Sequence, residues 1–408
     1  MEILIPNKTN THWQGLLKRT TSIKPMKPFA GATLLFLQEF SKRLLHNKRL
    51  AQYPELKAIA NWFSKTHLQQ LHQDYESKRQ NRIWLPRGVT LHFTPANIDS
   101  IFIASWFLSL LAGNINVVRL PQNRSAQTQL ILDLLNSILG LKRFKAIRER
   151  TLVVSYAHQR KITEQLSRFC HLRVIWGGDE TILNIRAVPL PPRATELLFA
   201  DRFSMAAIKA EVVLNGSKVN IDRLAKNFYN DTFRLNQNAC ASPRLIFWIG
   251  KKKELNRAKN RFWAAFKKVA RQKNINWNDQ GGTIIRMLAG YRYAACGIAD
   301  KLLSAATELP YKVHLKNHKA GLREIHPGGG LFLETEKSSL LDILKLITLK
   351  DQTLAVYGFP KHELEKFAWQ LSGRGIDRIV PIGEALSFQV SWDGYDLWTY
   401  FTREVALT

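Results

Sequence analysis

Hydrophobic positions change their period along the chain. From Thr33 to Leu45 and from Tyr53 to Tyr75 they recur at three- and four-residue spacing, which predicts a mainly helical region over residues 1–84. At Gly88 the pattern shifts. VTLHFTP is a short β-rich run ending at Pro95, and IDSIFIASWFLSLLAG reads as a buried helix closed by Gly113. NVVRL is a further strand, and SAQTQLILDLLNSIL is an amphipathic helix with Ser125 as its N-cap. TLVVSY, a helix from Lys161 to Phe169 and LRVIWGG continue the alternation. Strands alternating with helices predict βαβ units and a parallel, doubly wound sheet.

The pattern restarts near Asp201 to Ala210. AAIKAEVVL is predicted as strand, VNIDRLAKNFYNDTF as helix and PRLIFWIG as strand. A long basic helix and a mixed region up to Gly330 follow. GLFLET, a helix from Ser339 to Thr348, TLAVYGF, a helix around Lys361 to Leu371 and RIVPIG complete a second α/β body. The expected fold class is therefore α/β, with two doubly wound domains in tandem.

Charge changes this picture. The 408 residues carry 60 Lys+Arg against 32 Asp+Glu, a formal net charge of +28. A field of that sign gathers anions: phosphorylated cofactors, nucleic acid, anionic lipid or an acidic protein. The densest basic stretches are Lys142–Arg150 and Lys251–Lys273. In the second, Leu255, Ala258, Phe262, Ala265, Phe266 and Val269 repeat at helical spacing, so the charge is expected on the solvated face of an ordered helix. The longest apolar stretch, Ile101–Gly113, is too short to span a bilayer, and MEILIPNKTNTHW does not read as a secretory signal. Cys170, Cys240 and Cys296 lie far apart and form no CxxC pair, which is the usage of a reducing cytoplasm.

The candidate chemistry sits at element junctions. Cys240, in FRLNQNACASPRLIFW, falls between a helix and a strand with Ala239 and Ala241 beside it, leaving room for an acyl group and for N–H groups aimed at an oxyanion. The competing reading is a buried packing cysteine, which is also the expectation for Cys170 and Cys296. Asn97, directly after a strand, can donate to an oxyanion or cap the next helix. Gly177 and Gly178 in VIWGGDETI allow close backbone approach to a phosphate at a strand-to-helix turn. Arg119 and Arg124 follow another strand end and can hold a nucleotide phosphate. HExxH, Walker A, GxSxG and metal-spaced Cys/His clusters are absent from the sequence, so no metal site is expected.

Taken in order, FTPANIDSIF, SLLAGNINVVRL, VIWGGDET, FADRFS, FYNDTFRLNQNACASPR, TLAVYGF and WDGYD resemble the aldehyde dehydrogenase superfamily, and within it the LuxC acyl-thioester reductases. The resemblance spans roughly residues 85 to 405. It implies a helical region 1–84 packed on an NADP-binding Rossmann-like domain 85–208, a catalytic domain 209–375, and a segment 376–408 returning to the cofactor domain or to an oligomer contact. By motif, Cys240 is the expected nucleophile, Asn97 the oxyanion donor, Gly177 and Gly178 the turn against the cofactor, and Arg119 the replacement of a ribose-contacting lysine. The carboxylate that usually follows that lysine is missing from RLPQNRS, which with Arg124 leans toward NADPH. The general-base glutamate of oxidising members is replaced by Leu198 in LLFADRFS, so hydrolysis is disfavoured against reduction. The family's later glutamate has no secure counterpart in EIHPGGGLF.

The expectation is a cytoplasmic, NADPH-dependent enzyme that reduces a fatty acyl-CoA or acyl-protein to an aldehyde. A homo-oligomer and an acyl-protein synthetase partner are expected with it. The alternative is a protein of this fold that has lost the activity and binds nucleic acid or an anionic membrane through its basic surface.

Overall fold

The first run of alternating strands and helices closes into one six-stranded sheet. Its strands are β1 (Glu2–Ile5), β3 (Val89–Phe93), β4 (Ile115–Leu120), β5 (Thr151–Ser155), β6 (Leu172–Trp176) and β7 (Thr195–Phe199), while β2 (Ile83–Pro86) lies outside it. Their order is β1-β5-β4-β3-β6-β7. β3 to β7 are all parallel, and β1 pairs antiparallel at the edge, with Glu2 opposite Ser155. The strand order therefore reverses between β3 and β6, the place where a doubly wound sheet opens a crevice at its carboxyl ends.

The sequence restart builds a seven-stranded sheet: β8 (Phe203–Lys209), β9 (Pro243–Ile249), β10 (Ala299–Leu302), β11 (Tyr311–Leu315), β12 (Leu331–Lys337), β13 (Asp351–Tyr357) and β14 (Arg378–Pro381). The order is β10-β11-β12-β9-β8-β13-β14, parallel except for β10. Its central strands repeat the winding of the first sheet.

These positions come from a computed structural model, which describes residues 1–7, 12–50, 52–95, 98–273, 280–305, 310–316 and 321–407. The chain divides into two units, Met1–Asp201 with Tyr395–Thr408, and Arg202–Gly394. The division falls at Asp201 rather than after residue 208, because Phe203–Lys209 is a strand paired to β9 and β13. Residues 376–394 also stay with the second unit, where β14 pairs with β13. Only the last segment returns, its strand Thr402–Val405 pairing antiparallel with β2.

In the first unit, Leu91, Val117, Leu152, Val154 and Ile175 build a core on one face of the sheet. Against its helix Ile101–Leu111 the N-terminal helices set an aromatic cluster: Phe36, Phe40 and Phe63 all meet Phe107 edge to face, at ring distances of 5.6, 5.0 and 5.0 Å. Such pairs add roughly 0.5–1.5 kcal/mol each beyond burial. These contacts pack the N-terminal helices against helix Ile101–Leu111 within the first unit. Two details differ from the helical expectation for residues 1–84. Glu2–Ile5 is an edge strand, and Tyr53–Tyr75 is two helices, Pro54–Trp62 and Lys65–Arg79, because Ser64 breaks the run and caps the second through His67 N–H.

In the second unit, AAIKAEVVL is strand only to Lys209. Ala210–Asn215 is a short helix that buries Ala210 and Val213 three positions apart. The basic stretch is one helix, Lys252–Gln272, burying Leu255, Ala258, Phe262, Trp263 and Phe266 on the sheet and leaving Lys252, Lys253, Arg257, Lys268 and Arg271 in water.

Candidate active site

Cys240 stands in the turn between helix Lys218–Phe233 and β9, at the amino end of the second sheet, and is half-buried. The turn is built from unusual backbone. Asn236 and Gln237 both adopt the left-handed region, at φ 49° and 57°. Gln237 N–H donates to the Thr232 carbonyl at 2.7 Å, and Ser242 N–H closes the next turn on the Ala239 carbonyl at 3.0 Å. Ala239 and Ala241 are buried, so the small residues the sequence places beside Cys240 pack inward. The other two cysteines separate from this pattern. Cys170 is buried against the Ser167 carbonyl and burial pushes its thiol up to about 12, which leaves it inert. Cys296 is exposed just past helix Gln280–Ala295.

The other predicted residues belong to the first unit. Asn97 lies outside the described residues. Gly177 and Gly178 follow β6 at the reversal point of the sheet, and Gly177 N–H donates to the Phe199 carbonyl at 3.1 Å. Gly178 is the N-cap of helix Asp179–Arg186, and a Cβ built there would meet nothing within 4 Å. That open helix N-terminus can accept a phosphate, although the exposed first-turn acids Asp179 and Glu180 already answer part of its dipole.

Arg119, at the end of β4, points its guanidinium into the sheet edge. Its Nη2 donates to the Tyr156 carbonyl at 3.0 Å and its charge lies 5.4 Å from the Tyr156 ring centre. Burial lowers its pKa. Arg124 is not an unpaired cation awaiting a phosphate: it meets Glu2 of the edge strand at 2.9 Å. The arginine is 16% exposed and the glutamate 55%. A carboxylate missing from the loop sequence therefore arrives from the N-terminus. Leu198, on β7, packs against the first unit's core.

Sequence reasoning missed a buried polar chain behind the glycine turn. The Trp176 indole N–H donates to Ser105 Oγ at 3.2 Å, and Ser105 meets His92 Nδ1 at 2.9 Å. His92 Nε2 donates to Asn116 Oδ1 at 3.0 Å, since the Asn116 amide nitrogen is committed to the Asn114 carbonyl. Burial pushes His92 down to about 4, so it is neutral at physiological pH. Single-residue signals for such a chain do not exist; its members come from four elements.

Parallel strands, a reversal point, a glycine turn over a helix N-terminus and arginine at the neighbouring strand end form a set that fits a dinucleotide. The second sheet's own reversal point holds an open cleft of about 330 Å³ bordered by Lys209, Asn215, Asn220 and Tyr357, where Lys209 is already paired to Glu363 at 3.3 Å. Among the described residues no group of His, Cys, Asp and Glu could hold a metal ion, and no helix is long and apolar enough to cross a membrane.

The family model for acyl-CoA reductase (LuxC) matches residues 32–403. No curated protein matches the chain. Solved structures do. Aldehyde dehydrogenase 21 from Physcomitrella patens, in complex with succinate, is 11% identical with a TM-score of 0.67, covering 96% of this chain and 88% of that one. An oxidoreductase from Marinobacter aquaeolei is 12% identical with a TM-score of 0.68, over the same shares, 96% and 88%. A 3,6-anhydro-L-galactose dehydrogenase in complex with NAP is 12% identical with a TM-score of 0.63, over 96% and 90%. At these identities the likeness establishes the fold: aldehyde dehydrogenase-like.

Proposed function

The chain belongs to the acyl-CoA reductase (LuxC) family, and from that premise we propose that it reduces a fatty acyl thioester to the fatty aldehyde with NADPH, through a thioacyl group on Cys240. That it is an aldehyde-related oxidoreductase acting on an acyl substrate follows from the family and fold. The observation that carries the finer reading is Cys240 itself, half-buried in a shaped turn at a strand's amino end, where the other two cysteines are buried or merely exposed.

In this proposal the Cys240 thiolate attacks the thioester carbonyl, and the new C–S bond makes a tetrahedral oxyanion. The Asn97 amide and the Cys240 backbone N–H are its assigned donors. The bond to the donor's sulfur then breaks and that thiolate leaves, with the acyl group on Cys240. Gly177, Gly178 and Arg119 are assigned to hold the cofactor, with Arg124 at the ribose phosphate. When bound, the reduced nicotinamide supplies hydride. Addition of that hydride to the thioacyl carbon leaves a thiohemiacetal on Cys240, and cleavage of its C–S bond releases the aldehyde and regenerates the Cys240 thiolate. Leu198 offers no proton acceptor to activate water, which favours reduction over hydrolysis of the thioacyl group. The same resemblance extends the proposal to an acyl-protein donor, a synthetase partner, a homo-oligomer and a cytoplasmic location.

The test is direct assay. Acyl-CoAs of graded length should drive NADPH oxidation with stoichiometric aldehyde, detected as its hydrazone. Aldehyde-free oxidation, or none at any chain length, contradicts the proposal.

A further inference from the structure

The motif EIHPGGGLF, left without a role by the resemblance, meets the Cys240 turn. Gly328, Gly329 and Gly330 lead into β12 with φ of 78°, 62° and 90°, a run of left-handed backbone that side-chain-bearing residues rarely adopt. Each of the three N–H groups has its own acceptor. Gly328 N–H goes to His326 Nδ1 at 3.1 Å, Gly329 N–H to the Asn236 carbonyl at 3.1 Å, and Gly330 N–H to Gln237 Oε1 at 2.7 Å. Gln237 is 0% exposed, and its amide nitrogen donates to the Pro243 and Leu331 carbonyls, both at 3.1 Å. One carboxamide thus satisfies three backbone groups from β9, β12 and the glycine turn. His326 is locked in the complementary sense, its Nε2 donating to the Leu331 carbonyl at 3.1 Å. A Cβ at Gly328 would sit 3.3 Å from the Asn236 carbonyl oxygen, so the two loops are in close register.

We propose that Gln237 is a positioning residue for Cys240, fixing the cysteine turn against the triple-glycine turn so that the thiol is presented in one geometry. This rests on the reading of Cys240 as the nucleophile. Cys240 is three residues beyond Gln237, and the left-handed pair Asn236–Gln237 is also held by Arg244, whose Nη2 donates to the Gln237 carbonyl at 3.1 Å. Gln237 is buried, touches no reacting atom and acts only through the backbone it holds. A displacement of about 1 Å at a reacting group costs on the order of 100-fold in rate.

The full chain is tested as Gln237→Met, which keeps the volume and removes the three hydrogen bonds, and as Gln237→Glu, which keeps the acceptor for Gly330 N–H. Trp248→Phe is the control; it removes one buried hydrogen bond in the same unit, from the Trp248 indole to Glu334 at 3.0 Å. Acyl-adduct formation is followed by intact mass against acyl-CoA concentration. Alkylation of Cys240 by iodoacetamide is measured relative to exposed Cys296 in the same molecules. In Gln237→Met the maximal acylation rate should fall about 10- to 100-fold, with half-saturating acyl-CoA changed less than about twofold. The Cys240:Cys296 alkylation ratio should fall at least about fivefold, and Gln237→Glu should be intermediate. Trp248→Phe should leave both readouts at wild-type values. Wild-type acylation and alkylation in Gln237→Met overturn the proposal whatever its melting temperature. If Gln237→Met fails to fold, wild-type rates in Gln237→Glu overturn it equally. If wild type forms no adduct, the nucleophile reading fails, and the alkylation ratio still decides the role of Gln237.

Discussion

Glu2 and Arg124 stand 122 positions apart and share an ion pair that neither neighbourhood announces. The sequence legitimately points to Arg124 as a free cation, because no acid follows Arg119 in RLPQNRS. Edge pairing of β1 on β5 is what delivers the carboxylate. In the proposed cofactor site, a 2′-phosphate at Arg124 would have to compete with Glu2 for the guanidinium. Glu2→Gln should raise the NADPH:NADH affinity ratio about tenfold, the scale of one charge-assisted contact. Fluorescence-quenching titrations at fixed salt measure it, and an unchanged ratio would remove Arg124 from the ribose site. Cys240 is the opposite case. Its junction position and small neighbours are local properties, so they were legible, whereas the Gln237 clamp spans 93 positions to Gly330 and was not.

Elements were legible where their ends carry their own chemistry. Ser125 caps its helix through Thr128 N–H at 3.1 Å, and Gly113 ends the buried helix at φ 87°. Elements were misread where one periodicity covers two structures, as at Ser64 and at Lys209–Ala210. The His92 chain belongs to this scale, since it ties β3, β4 and β6 together behind Gly177. Its folded pKa of about 4 lies below the ordinary histidine value of 6.5. The unfolded chain therefore takes up a proton first as pH falls, and stability is lost from about pH 6.5 down toward 4. At about 1.4 kcal/mol per unit the loss is roughly 2–3 kcal/mol by pH 4.5. Urea unfolding should show that loss in wild type in excess of His92→Gln. Parallel pH profiles would contradict a buried neutral His92.

For the whole molecule, the alternation of periods was enough to read two doubly wound bodies, because βαβ winding is written in local sequence. The exit at Asp201 and the late return at Tyr395 were read several residues off, since strand pairing decides both. The net charge of +28 has a structural home in ordered helices such as Lys252–Gln272, whose apolar face is fully used by the core. A charged surface of this kind concentrates CoA and nicotinamide phosphates near the protein, which suits a reductase without specifying its substrate. The proposed chemistry rests on Cys240. Incubation of wild type with acyl-CoA in the absence of NADPH, followed by intact-mass spectrometry and peptide mapping, tests that most directly. The account predicts one acyl group on Cys240, absent from Cys240→Ala and retained in Cys170→Ala and Cys296→Ala. An adduct that persists in Cys240→Ala, or maps to another residue, would contradict it.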